Sequence, residues 1–298
     1  MVKFGAFIMT YERETILIDT IDKVLSQTFP PEKILIVDNS ATQKTAELML
    51  TLHNPKVVYH KVGYNSGPAG AAAIGLQLLA AEGYDWIYWG DDDDPPIFEN
   101  TFEILIKTAL SDPKCGCVGV VGQFFNKKTG FVKRVPDAML QSEGTLEVDT
   151  IAGGMYKIVN GKMILERNLI PDEQLFFGFE ELDFDLQIKK KGYKLLVDKP
   201  FYWKHRLHFN RTGLTKKTWH KKSDSALQRE YYSTRNILYI CFKNTLLSAL
   251  ICILFYSIIK QFLRFKQGFS TGYIGFKITF MAIFHFFIGK MGIRKINI

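Results

Sequence analysis

Trp86-Ile-Tyr-Trp-Gly-Asp-Asp-Asp-Asp-Pro-Pro96 is an apolar run that breaks off into four consecutive carboxylates and closes on two prolines. From Asp85 to Trp89, bulky aromatic and β-branched residues stand together without polar alternation, as in a parallel strand covered on both faces. The acids then fall at its carboxyl end, where open α/β sheets bind their ligands. Carboxylates at that density repel one another and raise each other's pKa unless a cation lies among them. Their oxygens suit a hard divalent ion such as Mg2+ or Mn2+. The plainer reading is a solvated acidic turn, because Pro95 and Pro96 are ordinary turn formers.

Toward the N-terminus, strand and helix alternate. Phe4 to Met9 is a first strand, and Leu17, Ile21, Val24, Leu25 and Thr28 form a helical stripe stopped by Pro30-Pro31. Lys33-Ile-Leu-Ile-Val-Asp38 is a second buried strand tipped by a carboxylate, which completes a βαβ unit with a right-handed crossover. Val57-Val-Tyr59 gives a third strand, and Gly70 to Ala81 a second helix. Gly63-Tyr-Asn-Ser-Gly-Pro-Ala-Gly70 opens that helix. Such a turn either offers backbone N–H groups to phosphate or serves as a plain connector, and it lacks the P-loop pattern.

Toward the C-terminus, Ile104 to Leu110 continues a helix, Cys117 to Phe125 reads as one strand, and residues 126–130 as a hairpin loop before Phe131-Val-Lys-Arg134. Glu180, Glu181, Asp183 and Asp185 open a further helix, Lys189 to Lys191 close it, and Gly192 follows. Acid first and base last suits the helix dipole, so ordinary helix design accounts for this stretch as well as chemistry does. Lys194 to Asp198 is a last strand leading into Tyr202-Trp-Lys-His-Arg-Leu-His208.

The 298 residues allow one large domain or a domain with an appendage, and the net charge of +8 is unevenly spread. Residues 1–150 carry 13 Lys+Arg against 20 Asp+Glu, whereas residues 151–298 carry 25 against 10. A basic second half calls for an anionic partner: nucleic acid, a phosphorylated acceptor or a lipid surface. The four cysteines show no metal or redox spacing and read as reduced packing residues of a cytosolic protein, and the N-terminus reads as a strand, not an export signal. Leu246 to Ile259 is fourteen residues without a charge, short of the ~20 that a spanning helix needs. Ile274 to Ile288 is apolar apart from Lys277 and His285. Two interfacial or hairpin-packed helices are expected, with Arg264 and Lys266 against anionic headgroups; burial against a neighbouring subunit, in a homo-oligomer, is the alternative.

The ordered set of motifs resembles the family 2 glycosyltransferases, inverting enzymes of the GT-A fold, over roughly residues 3–236. It comprises Thr10-Tyr11 with Arg13, Ser26-Gln-Thr28, Val37-Asp-Asn-Ser40, Asn65-Ser-Gly67, the D-x-D region, Gly153-Gly154, Glu180-Glu-Leu-Asp183 before Lys191-Gly-Tyr193, and Trp203-Lys-His205. The Trp89-Gly-Asp-Asp-Asp93 start and Tyr231-Tyr-Ser-Thr-Arg-Asn236 are most similar to the galactofuranosyl- and rhamnosyltransferase branch, which builds bacterial surface polysaccharides.

The resemblance implies an α/β, Rossmann-like domain over 1–236, its mostly parallel central sheet flanked by helices, and the change of character beyond Asn236 adds a C-terminal helical, membrane-associating extension over 237–298. It implies transfer from a nucleotide sugar, UDP-linked or else dTDP-linked and of galactofuranose or rhamnose type. The acceptor would be a hydroxyl of a growing, lipid-linked glycan at the cytoplasmic face of the cell membrane, with the protein peripheral or monotopic and no nucleic acid involved. It places Asp38 on the nucleotide base, Thr10 and Arg13 near the nucleotide, Asn65 in the donor pocket, Asp91 and Asp93 as the two acids of the D-x-D with Asp92 beside them at the cofactor, Asp93 as direct ligand of Mg2+ or Mn2+, and His205 as a further ligand. Four acids in a row leave the D-x-D register open by one residue.

Chemistry asks for the same parts, since a metal must neutralise the departing diphosphate and a base on another element must take the acceptor's proton. Glu181 is the expected base; Glu180 is expected to point elsewhere, and Asp183 lies around 200° away on the helix. A sugar nucleotidyltransferase would carry a glycine- and arginine-rich loop where this chain has Thr10-Tyr-Glu-Arg13, and a silent nucleotide-sugar binding protein would be expected to lose the acids.

Overall fold

The computed structural model describes residues 2–213 and 224–294. The last four residues of the expected C-terminal extension, 295–298, lie outside them.

The acid-tipped stretch forms a strand at the centre of the sheet. In chain order the first half comprises β1 (Phe4–Thr10), α1 (Glu14–Leu25), β2 (Lys33–Asp38), α2 (Lys44–Thr51), β3 (Val57–Lys61), α3 (Gly67–Ala81), β4 (Trp86–Asp91) and α4 (Thr101–Leu110). β3, β2, β1 and β4 lie side by side and parallel. Side chains alternate across a strand, so β4 sends Ile87 and Trp89 into one core and Trp86 and Tyr88 into the other. Leu76 and Leu79 of α3 cover the first face; Leu17 and Ile21 of α1 and Phe102 and Leu105 of α4 cover the second. Parallel register then sets the geometry. Met9 pairs with Asp91 and Thr10 with Asp38, which brings the ends of β1, β2 and β4 to a single edge of the sheet.

The second half completes the sheet with antiparallel and parallel members. It comprises β5 (Cys115–Val118), β6 (Gly122–Phe125), β7 (Val132–Arg134), β8 (Thr145–Val148), β9 (Thr150–Ile151), β10 (Lys157–Asn160), α5 (Gly161–Arg167), α6 (Glu180–Lys190), β11 (Lys194–Asp198) and α7 (Lys199–His208). The eight-stranded order is β3-β2-β1-β4-β10-β5-β11-β8, and β7-β6-β9 form a small second sheet. The single strand expected over Cys117 to Phe125 is therefore two strands in two sheets. The chain leaves the main sheet after Val118 and pairs again only from Gly122, with β9, and from Gln123 with β7 as well. Helix α2 carries no sequence signal because only Thr45 of it is buried, so it lacks an apolar stripe.

Three helices end the described chain: α8 (Asp224–Lys243), α9 (Leu247–Arg264) and α10 (Phe269–Phe287). Helix α8 passes position 236 without a break. The fourteen-residue uncharged run is part of an eighteen-residue helix, because Lys260 and Arg264 are accommodated on its inner side against Glu230. Among the described residues α9 is the one helix long and apolar enough, by length and composition, to cross a membrane.

Candidate active site

A cleft of about 670 Å³ opens at the strand-end edge. Thr10, Arg13, Asn65, Asp91, Asp92, Asp93 and Glu181 all line it, drawn together from four separate stretches of sequence. Asp38 and His205 do not. Asp38 is fully buried beneath the strand end, where its carboxylate accepts hydrogen bonds from the Tyr59 hydroxyl (2.7 Å) and the Ser40 backbone N–H (2.8 Å). Its neighbour Asn39 faces the cleft instead.

The four acids of the run take separate positions. Asp92 is buried and tied in: its carboxylate accepts from Thr10 Oγ1 (2.7 Å) and from Arg13 Nη1 (3.2 Å), and its carbonyl accepts from Thr20 Oγ1 (2.6 Å). Asp93 is half exposed and pairs with Arg13. Burial, and then the neighbouring carboxylates of Glu181, Asp93, Asp92 and Asp94, push Asp91 up to about 8. Burial and Asp93 push Asp94 up to about 6, against the pull of Arg211. Asp91, Asp92 and Asp93 all line the cleft, Asp92 held by Thr10 and Arg13 and Asp93 by Arg13.

Gly153 and Gly154 make room for the acids. A Cβ on Gly153 would sit 2.3 Å from Glu181 Oε1, and one on Gly154 would sit 2.5 Å from Asp94 Oδ2. Gly154 also has a left-handed φ of +66°, which a side chain would strain. The glycine-rich turn is held just as closely, since a Cβ on Gly67 would lie 2.2 Å from the Phe176 carbonyl oxygen.

The opposite wall departs from expectation. Glu180 also lines the cleft, because α6 begins after Phe179 in a left-handed conformation and presents its first two residues together. Asp183 turns away, buried against Lys243 Nζ (2.8 Å) and Gln187 Nε2 (2.8 Å). The helix dipole does not dominate the ionisation here. Burial raises Glu181, with Lys157 pulling in the opposite direction, and burial together with Glu181 raises Glu180 well above the usual carboxylate range.

The sequence reading also missed Lys157, Phe176, Phe177 and Arg229. Lys157 is buried behind Glu181, ion-paired with Asp185 at 2.6 Å and set over the rings of Trp89 and Phe184. Asp185 in turn accepts from Thr150 Oγ1 and from the Ile151 backbone N–H, both at 2.8 Å. A lysine within the apolar stretch Met155-Tyr-Lys-Ile-Val159 was the available signal, since buried charges require partners. Phe176, Phe177 and Arg229 had no such signal; Arg229 comes from α8, and the two phenylalanines pack against Tyr232 of α8, Phe176 also against Gly67 at the start of α3. His205 is buried against Tyr156 and Phe209, its Nε2 without a hydrogen-bond partner. Burial, then Arg211 and His208, hold it neutral, down at about 4.

The sequence pattern of Glycosyl transferase family 2 matches residues 6–159, more than half of the chain and most of the cleft's first wall. The chain belongs to this family. The galactofuranosyltransferase GlfT1 of Mycolicibacterium smegmatis is 25% identical to this family 2 protein over 198 residues, 63% of this chain and 65% of the relative, so the match spans slightly less than two thirds of that protein. GlfT1 of Mycobacterium tuberculosis is 24% identical over 199 residues. GalNAc-T7, solved with UDP, GalNAc and Mn2+, superposes with a TM-score of 0.58 at 15% identity, over 80% of this chain and 47% of that one. S. aureus TarS 1-349 with UDP-GlcNAc superposes with a TM-score of 0.55 at 15% identity, over 96% and 80%. The family 2 chain therefore has the glycosyltransferase GT-A architecture expected of it, with a helical C-terminal region.

Proposed function

We propose that this protein is an inverting, divalent-metal-dependent glycosyltransferase that moves a furanosyl or deoxy sugar, galactofuranose from its UDP ester first and rhamnose from dTDP second, onto a hydroxyl of a lipid-linked glycan at the cytoplasmic membrane face. One observation carries this reading: Asp91 and Asp93 on one wall of the cleft face Glu181 and Glu180 on the other, with the space between kept open by Gly153. The likeness to GlfT1, whose name states galactofuranosyl transfer, supports the choice of sugar.

The residues suit a hard cation. Among the described residues no three His, Cys, Asp or Glu side chains form a ready-made cage. Mg2+ and Mn2+ commonly take one or two carboxylates and complete their shells with water and substrate phosphates. Asp91, raised by four surrounding acids, gains most from such a charge, and Asp93 can turn from Arg13 to share it. When bound there, the ion supplies the charge that stabilises the departing diphosphate. Thr10, Arg13 and Asn65 line the nucleotide end; Asp38 fixes the strand end beneath it, and His205, buried outside the cleft with an unpartnered nitrogen, would join the ion only if its ring swung toward the acids.

Glu181 accepts the acceptor hydroxyl's proton as that oxygen attacks the anomeric carbon from the face opposite the diphosphate, which inverts the centre. Burial raises its basicity, so it takes a proton near neutral pH more readily than a surface glutamate. The test is UDP or dTDP release from a panel of UDP-, dTDP- and GDP-sugars, with and without EDTA and a lipid-linked saccharide. Release that needs metal, acceptor and UDP-galactofuranose is expected. Release unaffected by EDTA, or with GDP-sugars alone, overturns the proposal.

A further inference from the structure

Helices α9 and α10 are built inside out. The outward positions of α9 are Leu247, Ile251, Phe255, Ile259 and Phe262, an apolar stripe at helical spacing. Its inward positions include Ser257, Gln261 and Arg264, all buried. In water the polar side of a helix faces out, so this arrangement is reversed. α10 follows it in part: Phe269, Tyr273, Phe280, Phe284 and Phe287 are exposed together with Lys277, while Gly272, Gly275, Thr279 and Ala282 are buried beside Ile278 and Ile283.

The seam between the helices is of the kind that associates without a hydrophobic drive. A Cβ on Gly275 would lie 2.5 Å from Gln261 Oε1, and one on Gly272 would lie 2.5 Å from the Phe265 ring. Small residues and interior polar contacts hold helices together when the surroundings are as apolar as the side chains. The charged groups inside are paired, although the buried Thr279 hydroxyl has no hydrogen-bond partner: Arg264 Nη2 pairs with Glu230 at 2.5 Å, Lys260 Nζ pairs with Glu230 at 2.7 Å, and Arg264 Nη1 donates to Gln261 at 2.9 Å. The hairpin also lies along the domain and does not project from it. Ala249 and Ile253 pack with Phe125, Leu182 and Leu186, and Phe131 meets Tyr256 edge-on. Only one side of the pair is therefore free. Lys266 at its tip and Lys290 and Arg294 at its other end are exposed cations, complementary to anionic headgroups.

We propose that the outer face of α9 and α10 seats in the acyl layer of one leaflet of an anionic bilayer, which makes the protein monotopic. The cleft then opens beside the lipid surface, because α8 carries Glu230, the clamp of the hairpin, immediately after Arg229, which lines the cleft. A saccharide carried on a lipid phosphate reaches such a site without leaving the membrane. This deepens the membrane placement in the proposed function, and it can fail separately, since donor binding needs no lipid.

The test uses the full chain and vesicles of phosphatidylcholine with phosphatidylglycerol. Phe255→Trp and Phe284→Trp are compared with the parent protein, whose four tryptophans all lie outside the hairpin. Insertion to one leaflet's depth, roughly 5–10 Å, makes lipids brominated high on the acyl chain quench the new fluorescence more than lipids brominated near its end. A triple Phe255→Ser, Phe262→Ser, Phe284→Ser variant should float with vesicles at least about tenfold less, with UDP-sugar binding unchanged as the check on folding. Strongest quenching from deep labels means spanning helices and overturns the monotopic placement. Absence of quenching, together with a dimer by light scattering that the triple variant abolishes, assigns the face to a second copy and overturns the proposal altogether.

Discussion

Asp91 in the cleft and Glu230 under the hairpin are both carboxylates removed from water, and they titrate in opposite directions. Burial pushes Asp91 up to about 8, and four neighbouring acids push the same way. Burial also works to raise Glu230, but Lys260 and Arg264 outweigh it and hold the group down at about 2. One site gathers six carboxylates, Asp91 to Asp94 with Glu180 and Glu181, against fewer cations, Arg13, Arg211, Arg229 and the recessed Lys157 among the described residues; the other sets Glu230 against two cations. The first arrangement leaves like charges crowded together, as the proposed cation and substrate would relieve, whereas the second holds elements together. Burial alone therefore does not mark a functional carboxylate; the balance of its neighbours does.

The largest expected effect tests the cleft side of this contrast. Glu181→Gln keeps the shape and removes the basic oxygen, so turnover with saturating acceptor should fall by roughly 10²–10⁴-fold while donor affinity by calorimetry stays near wild type. Glu180→Gln should cost far less, and the reverse ranking would transfer the base to Glu180.

On the paired side, Glu230→Ala should lower unfolding stability by about 3 kcal/mol, the low end for breaking a buried pair, since Lys260 keeps some access to solvent. Urea titration in mild detergent measures this. A Glu230→Ala protein as stable as the parent would show that the clamp contributes nothing.

A smaller effect is expected at Gly153. Gly153→Ala places a methyl against Glu181 Oε1 and displaces the base, so turnover should drop by about 10–100-fold with little change in melting temperature. Unchanged turnover would mean that the Glu181 carboxylate is free to move aside.

The subtlest test is pH. Asp91 has a folded pKa of about 8, above its ordinary 3.8, so between those values the folded, metal-free protein holds a proton that the unfolded chain releases. Its contribution makes stability fall as pH rises from about 4 to about 8. Glu230 works the other way: its contribution is present above 4.5 and is lost as pH falls toward 2. Melting curves in EDTA should show both slopes, and Asp91→Asn should flatten the upper one alone.

Much of the fold was legible because burial leaves a periodic trace along the chain. Lys33 to Asp38 and Trp86 to Asp91 are continuous apolar runs with acid tips, and both are strands buried on their two faces. The break at Gly119 to Val121 was not legible, because an apolar stretch reads alike whether it stays in one sheet or changes to another. Helix α2 left no trace because it buries almost nothing.

The sequence by itself determined the βαβ order, the placing of carboxylates at strand ends and the family, since each of these is written in local runs and their spacing. The tertiary structure alone decided which carboxylates meet. It brought Glu180 into the cleft beside Glu181, turned Asp183 to Lys243, set Lys157 behind the base, and gave Glu230 two cations from residues 30 and 34 positions away. Periodicity records whether a residue is buried, a property that recurs along one element. Ionisation depends on distances to charges on other elements, and those are fixed only when the elements pack.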